Sequence, residues 1–306
     1  MSDERPLLFS TAAYTDLASD IAGIAGLDRG TVERLSFPDA ERYQRLDGAI
    51  SGRDCVLVGG TGSDSDTLDL YDLACGLVAA DARSLSLVIP YFGYSTMDRP
   101  VKSGEVVTAK NRALLLSSVP RAAAGNRAFL FDAHAEGLPY YFEEPMRAFH
   151  LYGEKILLPA IAAAGGRDFV LGTVDGGRAK WVSHFADQLG VDTAIVLKRR
   201  LGGAQTEVVA SAAPVAGRHV VVYDDMIRTG GSALGAVRAY LAAGATSVDL
   251  VATHGVFAGE ALARLRDSGL IGHITVTDSH PQARRCASDF VSVISCAEPL
   301  AAPFAA

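Results

Sequence analysis

Basic charge, cysteine and long apolar runs are all scarce in this sequence of 306 residues. Acidic residues outnumber basic ones by 35 to 28, so a formal net charge of -7 would repel nucleic acid and anionic membranes at long range. No run approaches the roughly 18 apolar residues of a membrane-spanning helix. The first residues, MSDERPLLFS, lack the basic start and long apolar core of a signal peptide. We therefore expect a cytoplasmic protein that has neither nucleic acid nor a membrane as a partner.

The four cysteines exclude two further classes of protein. They are widely spaced, form no CxxC pair and have apolar neighbours: Cys55, Cys75, Cys286 and Cys296. A disulfide framework or a zinc site needs paired or clustered cysteines. We interpret all four as reduced residues of the core.

The chain contains enough apolar residues for a sizeable core, since 49% of its residues are hydrophobic and 21% are charged. Short apolar runs alternate with helical patterns, which predicts an α/β fold with a mainly parallel sheet. The predicted strands are residues 54–58, 86–90, 127–131, 168–173, 192–197, 219–224, 247–254, 273–277 and 290–295. The predicted helices are residues 67–80, 108–119, 145–164, 179–189, 232–243 and 259–268.

The length favours two domains of about 150 residues each. The predicted helix that ends near Ala164 is followed by Gly165-Gly166 and a new strand, so we place the boundary there, between 1–164 and 165–306. Each half also has a loop rich in glycine and hydroxyl side chains between a strand and a helix, at 59–66 and 225–232. This similarity suggests an internal duplication.

The strongest local signal lies after the apolar strand that begins at His219. Two consecutive acids, Asp224 and Asp225, precede a Thr-Gly-Gly-Ser turn at 229–232 that opens a helix. Backbone N–H groups at such a turn, together with the helix N-terminus, attract a phosphate. The carboxylates can accept hydrogen bonds from sugar hydroxyls, and this end of a strand is where open α/β sheets bind ligands. The alternative is that Asp225 and Thr229 only cap the helix.

This loop resembles the phosphoribosyl-binding loop of type I phosphoribosyltransferases and ribose-phosphate pyrophosphokinases. Further segments match the pyrophosphokinases in their order along almost the whole chain: 37–41 (FPDAE), 90–94 (PYFGY), 98–110, 132–135 (DAHA), 174–177 (VDGG), 198–200 (KRR) and 253–255 (THG). The resemblance implies two type I phosphoribosyltransferase domains, each with a mainly parallel sheet flanked by helices. It also implies that the enzyme transfers the diphosphoryl group of ATP to the C1 hydroxyl of ribose 5-phosphate, which gives 5-phosphoribosyl 1-diphosphate and AMP.

The resemblance assigns a role to each matched segment. It implies ribose 5-phosphate binding by Asp224, Asp225, Arg228, Thr229, Gly230, Gly231 and Ser232, and diphosphate binding by Asp175, Gly176 and Gly177. ATP would be bound by Phe37, Asp39, Glu41 and His134, Mg²⁺ by His134 and Asp175, and the catalytic cations would be Lys198 and Arg200. Members of the family are homo-oligomers, so we expect a dimer or a hexamer.

Most of these residues also have an ordinary structural interpretation. Phe37 could be a buried core ring, His134 a hydrogen-bonded structural histidine, and Asp175 the cap of a glycine turn. Three adjacent cations at 198–200 could form a solvated surface cluster.

The match to the family is incomplete, which keeps two alternative functions open. Thr96-Met97 stands where the common members carry an Arg-Gln pair that contacts ATP; Arg228 replaces an acid, and Ser232 a more common Thr. A non-catalytic regulatory relative of the pyrophosphokinases would explain the lost Arg-Gln pair. A phosphoribosyltransferase would use the same sugar-phosphate loop, although the segments at 90–94 and 198–200 argue against it.

Overall fold

The computed structural model describes residues 4–39, 41–202, 205–211 and 215–305, and for 197–202 and 205–211 it describes the backbone only. These residues form two compact units. Unit 1 comprises Met1–Tyr152 and Ser295–Ala306, and unit 2 comprises Gly153–Ile294. Within the described ranges, every helix is too short or too polar to cross a membrane.

The described elements alternate between strands and helices along the chain. The strands are β1 Leu7–Ser10, β2 Asp28–Arg29, β3 Thr31–Ser36, β4 Arg42–Asp47, β5 Asp54–Val58, β6 Ser84–Ile89, β7 Asn126–Phe131, β8 Met146–Leu151, β9 Phe169–Thr173, β10 Asp192–Gly202, β11 Gln205–Ser211, β12 His219–Ile227, β13 Ser247–Gly255, β14 Ile274–Thr277 and β15 Val291–Ile294. The helices are α1 Thr15–Ala25, α2 Asp64–Ala79, α3 Thr108–Ser117, α4 Glu154–Gly165, α5 Ala179–Leu189, α6 Gly231–Ala242, α7 Ala261–Asp267, α8 Pro281–Arg285 and α9 Ala297–Ala301.

Unit 1 is built on a parallel sheet with the strand order β2-β1-β5-β6-β7-β8. Strands β3 and β4 form a separate antiparallel hairpin. Alternate residues of the strands, such as Leu7 and Phe9, enter one core cluster together with Leu70, Leu73 and Leu77 of α2. This spacing is the period of two that a strand imposes on its side chains.

Unit 2 has the sheet order β11-β10-β9-β12-β13-β14-β15, parallel except for the β10–β11 pair. Strand β12 has helices on both faces. Val220 and Val222 belong to the cluster that contains α6 and α7, whereas Val221 and Tyr223 pack with residues of α4 and α5. A strand covered on both faces reads as a continuous apolar run, which explains the VVVY sequence.

The two units share one topology. We number the strands of each sheet one to six in chain order and leave out the hairpin strands β3, β4 and β11. Both sheets then have the order 2-1-3-4-5-6. In both units a hairpin strand precedes the third strand, β4 in unit 1 and β11 in unit 2. The similarity between loops 59–66 and 225–232 therefore has a structural basis, since each comes after the third strand of its sheet.

The α/β fold with mainly parallel sheets is confirmed, and most predicted elements lie within a few residues of the observed ones. The helix predicted at 145–164 is wrong in its first part, because Met146–Leu151 is the edge strand β8. All six of its residues pair with β7, and this pairing overrides the helix-like composition.

The division between the units also differs from the predicted boundary at 164/165, because it falls before α4 rather than after it. Leu157 and Ile161 of α4 pack in one cluster with Phe169 and Leu171 of unit 2. At the other end of the chain, the residues from Ser295 onward belong to unit 1.

Candidate active site

Two carboxylates lie near the end of β12, the central strand of unit 2. The strand continues through both acids to Ile227, three residues beyond its predicted end, so that the loop begins at Arg228. Asp225 is buried, with 4% of its surface exposed, and Asp224 is half-buried. The backbone N–H of Asp225 donates to Oδ1 of Asp224 at 3.0 Å.

Arg178 holds the buried acid of this pair. Its Nε lies 3.1 Å from Oδ1 of Asp225 and its Nη2 2.6 Å from Oδ2, a two-point contact. Burial and then the charge of Asp225 raise the pKa of Asp224 well above its ordinary value of 3.8, and Arg178 acts in the opposite direction. A ligand that brings a hydrogen-bond donor or a cation to Asp224 would therefore stabilise the charged form of this carboxylate.

The turn after β12 has the conformation that its glycines predict. Gly230 has a φ of +77°, and a Cβ there would lie 3.1 Å from Cγ of the buried Leu265. Gly230 is also the N-cap of α6, and it has no side chain of its own to cap this helix end. The N-cap is therefore neither Asp225 nor Thr229, the two residues that the structural alternative predicted as caps. The turn presents the first backbone N–H groups of α6 as donors for an anion.

A neighbouring segment fixes the backbone of this turn. Past the end of β13, the N–H groups of Val256 and Phe257 donate to the carbonyl of Ile227 at 3.1 and 3.0 Å, and that of Ala258 donates to the carbonyl of Arg228 at 2.8 Å. Arg228, Thr229 and Ser232 are exposed in this arrangement. Their side chains can therefore reach a ligand over a fixed backbone.

Asp175 lies just past β9 in the same sheet. Its Oδ1 accepts the N–H of Gly177 at 2.9 Å and caps the short 3₁₀ turn Gly176–Arg178. Asp175 therefore caps this turn, as its structural interpretation predicted. Gly176 and Gly177 are exposed. The same turn carries Arg178, which the sequence analysis did not assign to the site and which joins the Asp175 loop to Asp225.

Lys198 and Arg200 lie on β10 after it has left the parallel sheet. From Ile195 onward β10 pairs with β11 as an antiparallel hairpin, in which Lys198 is opposite Val208 and Arg200 opposite Thr206. The predicted strand ended at 197, whereas the observed strand runs to Gly202. The side chains of both cations lie outside the described part of the structure.

The predicted nucleotide residues of unit 1 lie on the β3–β4 hairpin. Phe37 donates its N–H to the carbonyl of Glu41 at 2.9 Å, and Oδ1 of Asp39 accepts the N–H of Glu41 at 3.1 Å. All three residues are exposed, and Phe37 exposes 48% of its surface. A core role for Phe37 is therefore excluded, and its ring is available for stacking.

Two loops at the carboxyl edge of the unit 1 sheet pack tightly against each other. The N–H of Gly93 donates to Oγ1 of Thr61 at 2.8 Å, and a Cβ at Gly93 would lie 2.0 Å from the Thr61 carbonyl oxygen. The Tyr94 hydroxyl donates to Asp64 at 2.8 Å. Arg112 of α3 pairs with the same carboxylate and lies 4.9 Å from the centre of the Tyr94 ring. The sequence analysis missed this cation next to the PYFGY segment.

His134 lies in the loop after β7 of unit 1, where it is half-buried. His134 and Asp175 belong to different units. In the described residues, no group of three or more His, Cys, Asp and Glu side chains is arranged to hold a metal ion. A single carboxylate such as Asp175, completed by substrate phosphates, is nevertheless a usual way to hold Mg²⁺.

A parallel α/β sheet whose central strand carries paired acids before a glycine turn defines a phosphoribosyltransferase-type domain. Residues 154–269 match the family model described as the phosphoribosyl transferase domain. Residues 7–119 match the N-terminal domain of ribose phosphate pyrophosphokinase. The chain belongs to the ribose-phosphate pyrophosphokinase family, and the predicted resemblance and enzyme class are confirmed.

Individual relatives match over nearly the whole chain. A ribose-phosphate pyrophosphokinase from Gloeobacter violaceus is 35% identical over 92% of this chain and 83% of its own length. The chloroplastic ribose-phosphate pyrophosphokinase 2 from Oryza sativa is 34% identical over 90% of this chain and 69% of its own. The crystal structure of phosphoribosylpyrophosphate synthetase from Mycobacterium smegmatis superposes with a TM-score of 0.86 at 26% identity and covers 98% of both chains.

Proposed function

We propose that the chain transfers the diphosphoryl group of ATP to the C1 hydroxyl of ribose 5-phosphate. The hydroxyl oxygen attacks the β-phosphorus, the bond from that phosphorus to the oxygen of the α-phosphate breaks, and AMP leaves. The observation that supports this best is the acidic pair of β12 next to the Gly230 turn. This arrangement offers acceptors for a sugar diol and donors for a phosphate on consecutive residues.

The sugar would be held by unit 2. Asp224 and Asp225 accept its hydroxyls, and Thr229, Ser232 and the first N–H groups of α6 bind its 5-phosphate. The exposed Arg228 adds a cation for the same phosphate. Because Arg178 already holds Asp225 in place, the carboxylate is oriented before the sugar arrives.

The transferred group would be held by two further segments of unit 2. Backbone N–H groups at Gly176 and Gly177 bind the diphosphate, and Lys198 and Arg200 on the hairpin neutralise the charge that develops on it. Asp175 would hold Mg²⁺, and when bound, Mg²⁺ neutralises the charge of the phosphate oxygens. His134 of unit 1 is the other Mg²⁺ ligand that the family resemblance predicts. The oxygen of Asp175 suits this hard cation better than the nitrogen of His134 does.

The nucleotide would be recognised by unit 1. The exposed ring of Phe37 stacks on the base, and Asp39 and Glu41 accept hydrogen bonds from its exocyclic amine. In family members that carry it, an Arg-Gln pair contacts the nucleotide, whereas this chain has Thr96-Met97. This chain would therefore bind the nucleotide without the contacts of that Arg-Gln pair.

One assay tests the proposal directly. Purified protein is given Mg²⁺ and ribose 5-phosphate with ATP, ADP or GTP in turn, and AMP and 5-phosphoribosyl 1-diphosphate are quantified. We expect equimolar AMP and 5-phosphoribosyl 1-diphosphate with ATP, and neither product when chelator replaces Mg²⁺ or ribose replaces ribose 5-phosphate. Release of diphosphate that depends on an added purine or pyrimidine base, without AMP, would instead indicate a phosphoribosyltransferase.

We further propose that the protein acts in the cytoplasm as a homo-oligomer, either a dimer or a hexamer, without nucleic acid or a membrane as partner. The family membership supports the assembly, and the net charge of -7 supports the absence of anionic partners. Light scattering at several protein concentrations measures the assembly.

A further inference from the structure

Tyr240, near the end of α6, is a fully buried polar residue to which the proposed reaction gives no role. None of its surface is exposed, and its hydroxyl lies among backbone groups of the sheet. It accepts the N–H of Thr173 at 2.9 Å, and it lies 2.9 Å from the carbonyl oxygens of both Thr173 and Ala194. A tyrosine hydroxyl has one hydrogen, so the two carbonyls share it.

These three backbone groups mark the point where two strands separate. Strand β10 pairs with β9 only as far as Ala194, which is opposite Gly172. From Ile195 onward β10 pairs with β11 instead. The Tyr240 hydroxyl therefore forms hydrogen bonds with buried backbone groups at the point where the pairing of β9 with β10 ends. Beside it, Oγ1 of Thr173 accepts the N–H of Val196 at 3.2 Å.

The sheet is shaped to admit the ring. A Cβ at Gly172 would lie 2.9 Å from both Cζ and Oη of Tyr240, so a larger residue at 172 would displace the hydroxyl. Burial raises the pKa of Tyr240, so the hydroxyl keeps its proton as a donor. The fit is thus specific both in shape and in hydrogen bonding.

The strand divergence positions two parts of the proposed site. Past Thr173, the chain enters the Asp175 loop within two residues. Past Ala194, β10 becomes the hairpin strand that carries Lys198 and Arg200. A shift at this point would move the diphosphate loop and the two cations relative to each other, and displacements of about 1 Å can cost a reaction as much as 100-fold in rate.

We propose that Tyr240 is a positioning residue, whose hydroxyl fixes the divergence of β9 and β10 and thereby places the Asp175 loop and the Lys198–Arg200 hairpin for the transfer step. It touches neither substrate. The kinetic part of this inference rests on the proposed function, whereas the structural part does not.

The test is Tyr240→Phe, which removes one oxygen atom and keeps the ring. Because the variant perturbs the transfer step and not the sugar-phosphate turn, we expect kcat to fall about tenfold. The KM for ribose 5-phosphate should stay within about twofold of the wild type, since Asp224, Asp225 and the Gly230 turn keep their own contacts. Hydrogen exchange at the Thr173 amide should become about tenfold faster, because it loses its acceptor.

Val237→Ala is the matched control. Val237 is fully buried, lies one turn earlier on α6 and belongs to the same core cluster, but its side chain makes no hydrogen bond. It should lower the melting temperature without lowering kcat or speeding exchange at Thr173. Equal kcat in the two variants, or unchanged exchange at Thr173 in Tyr240→Phe, would overturn the inference. If the wild type makes no AMP, the proposed function fails, and the exchange rates alone decide whether Tyr240 fixes the divergence.

Discussion

The two units of this chain share a strand order but differ in the loop and helix start that come after the third strand. In unit 2, β12 carries two acids into a turn, and the N-cap of the following helix is Gly230, which has no side chain. In unit 1, β5 leads into Gly59-Gly60, and Oγ of Ser63 accepts the N–H of Asp66 and caps α2. The two units therefore begin the helix after the third strand in different ways, with a glycine N-cap in unit 2 and a serine side-chain cap in unit 1.

The largest expected contrast is in kcat, between substitutions on the hairpins of the two units. We expect Lys198→Ala to lower kcat by about 1,000-fold, because a cation that neutralises the transferred phosphates would be lost. Arg45→Ala, on the β3–β4 hairpin of unit 1, should leave kcat unchanged, since Arg45 forms only an exposed ion pair with Glu33 at 2.7 Å. Steady-state kinetics with ATP and ribose 5-phosphate measure both. A near-normal rate for Lys198→Ala would remove the catalytic assignment of the hairpin.

The next contrast is in stability, between an ion pair on β12 of unit 2 and one on β5 of unit 1. Asp225→Asn breaks a pair with Arg178 whose side chains are 5% and 14% exposed, so we expect the free energy of unfolding to fall by about 3 kcal/mol. The KM for ribose 5-phosphate should rise as well. In unit 1, Asp54→Asn breaks a pair with Arg83 whose side chains are 34% and 41% exposed, and the loss should stay below about 1 kcal/mol. Urea unfolding measures both; equal losses would contradict the difference in burial.

Base stacking should be confined to unit 1. We expect Phe37→Ala to raise the KM for ATP by about three- to tenfold, which corresponds to a single aromatic contact. The KM for ribose 5-phosphate should not change. Leu35→Ala is the control, because Leu35 lies on the same hairpin and is 54% exposed but has no ring. If both variants raised the KM for ATP equally, the stacking role of Phe37 would be wrong.

Stability should also depend on pH in opposite directions in the two units. The raised pKa of Asp224 means that its contribution is fully present below pH 3.8 and is lost as the pH rises through the higher value. The pKa of Asp54 is lowered, chiefly by its hydrogen bond to Arg83, so its contribution is present above 3.8 and is lost as the pH falls through the lower value.

Neutral variants separate these two contributions. At pH 7, Asp224→Asn should raise the free energy of unfolding while it weakens sugar binding, whereas Asp54→Asn should lower the free energy slightly. Urea unfolding between pH 3 and pH 8 distinguishes them. A lower stability of Asp224→Asn at pH 7 would contradict the unfavourable charge at that position.

Local patterns identified those parts of the candidate site that are contiguous in the sequence. The acids of β12 and the Gly230 turn lie within seven residues, and each requires a residue type that the sequence shows directly. Arg178 was missed because its partner Asp225 is 47 residues away, and Tyr240 because its partner Thr173 is 67 residues away. Such contacts depend on strand order, which no local window contains.

The fold was predicted least well where tertiary context decides. The hairpin β3–β4 is mainly exposed and polar, so it gave no strand signal. Strand β8 has a composition suited to a helix and becomes a strand only through its pairing with β7. The buried strands β5, β6 and β12 were predicted well, because continuous valine and leucine runs are typical of parallel sheets.

The return of the last residues to unit 1 affects how the protein is made. Helix α9 buries Leu300 against the unit that contains α1, and Phe304 meets Phe129 edge-on at 5.6 Å. A ribosome releases these residues only after all of unit 2 has been synthesised, so unit 1, although it is begun first, is completed last. Removal of the residues from Ser295 onward would therefore damage the half of the protein that is encoded first.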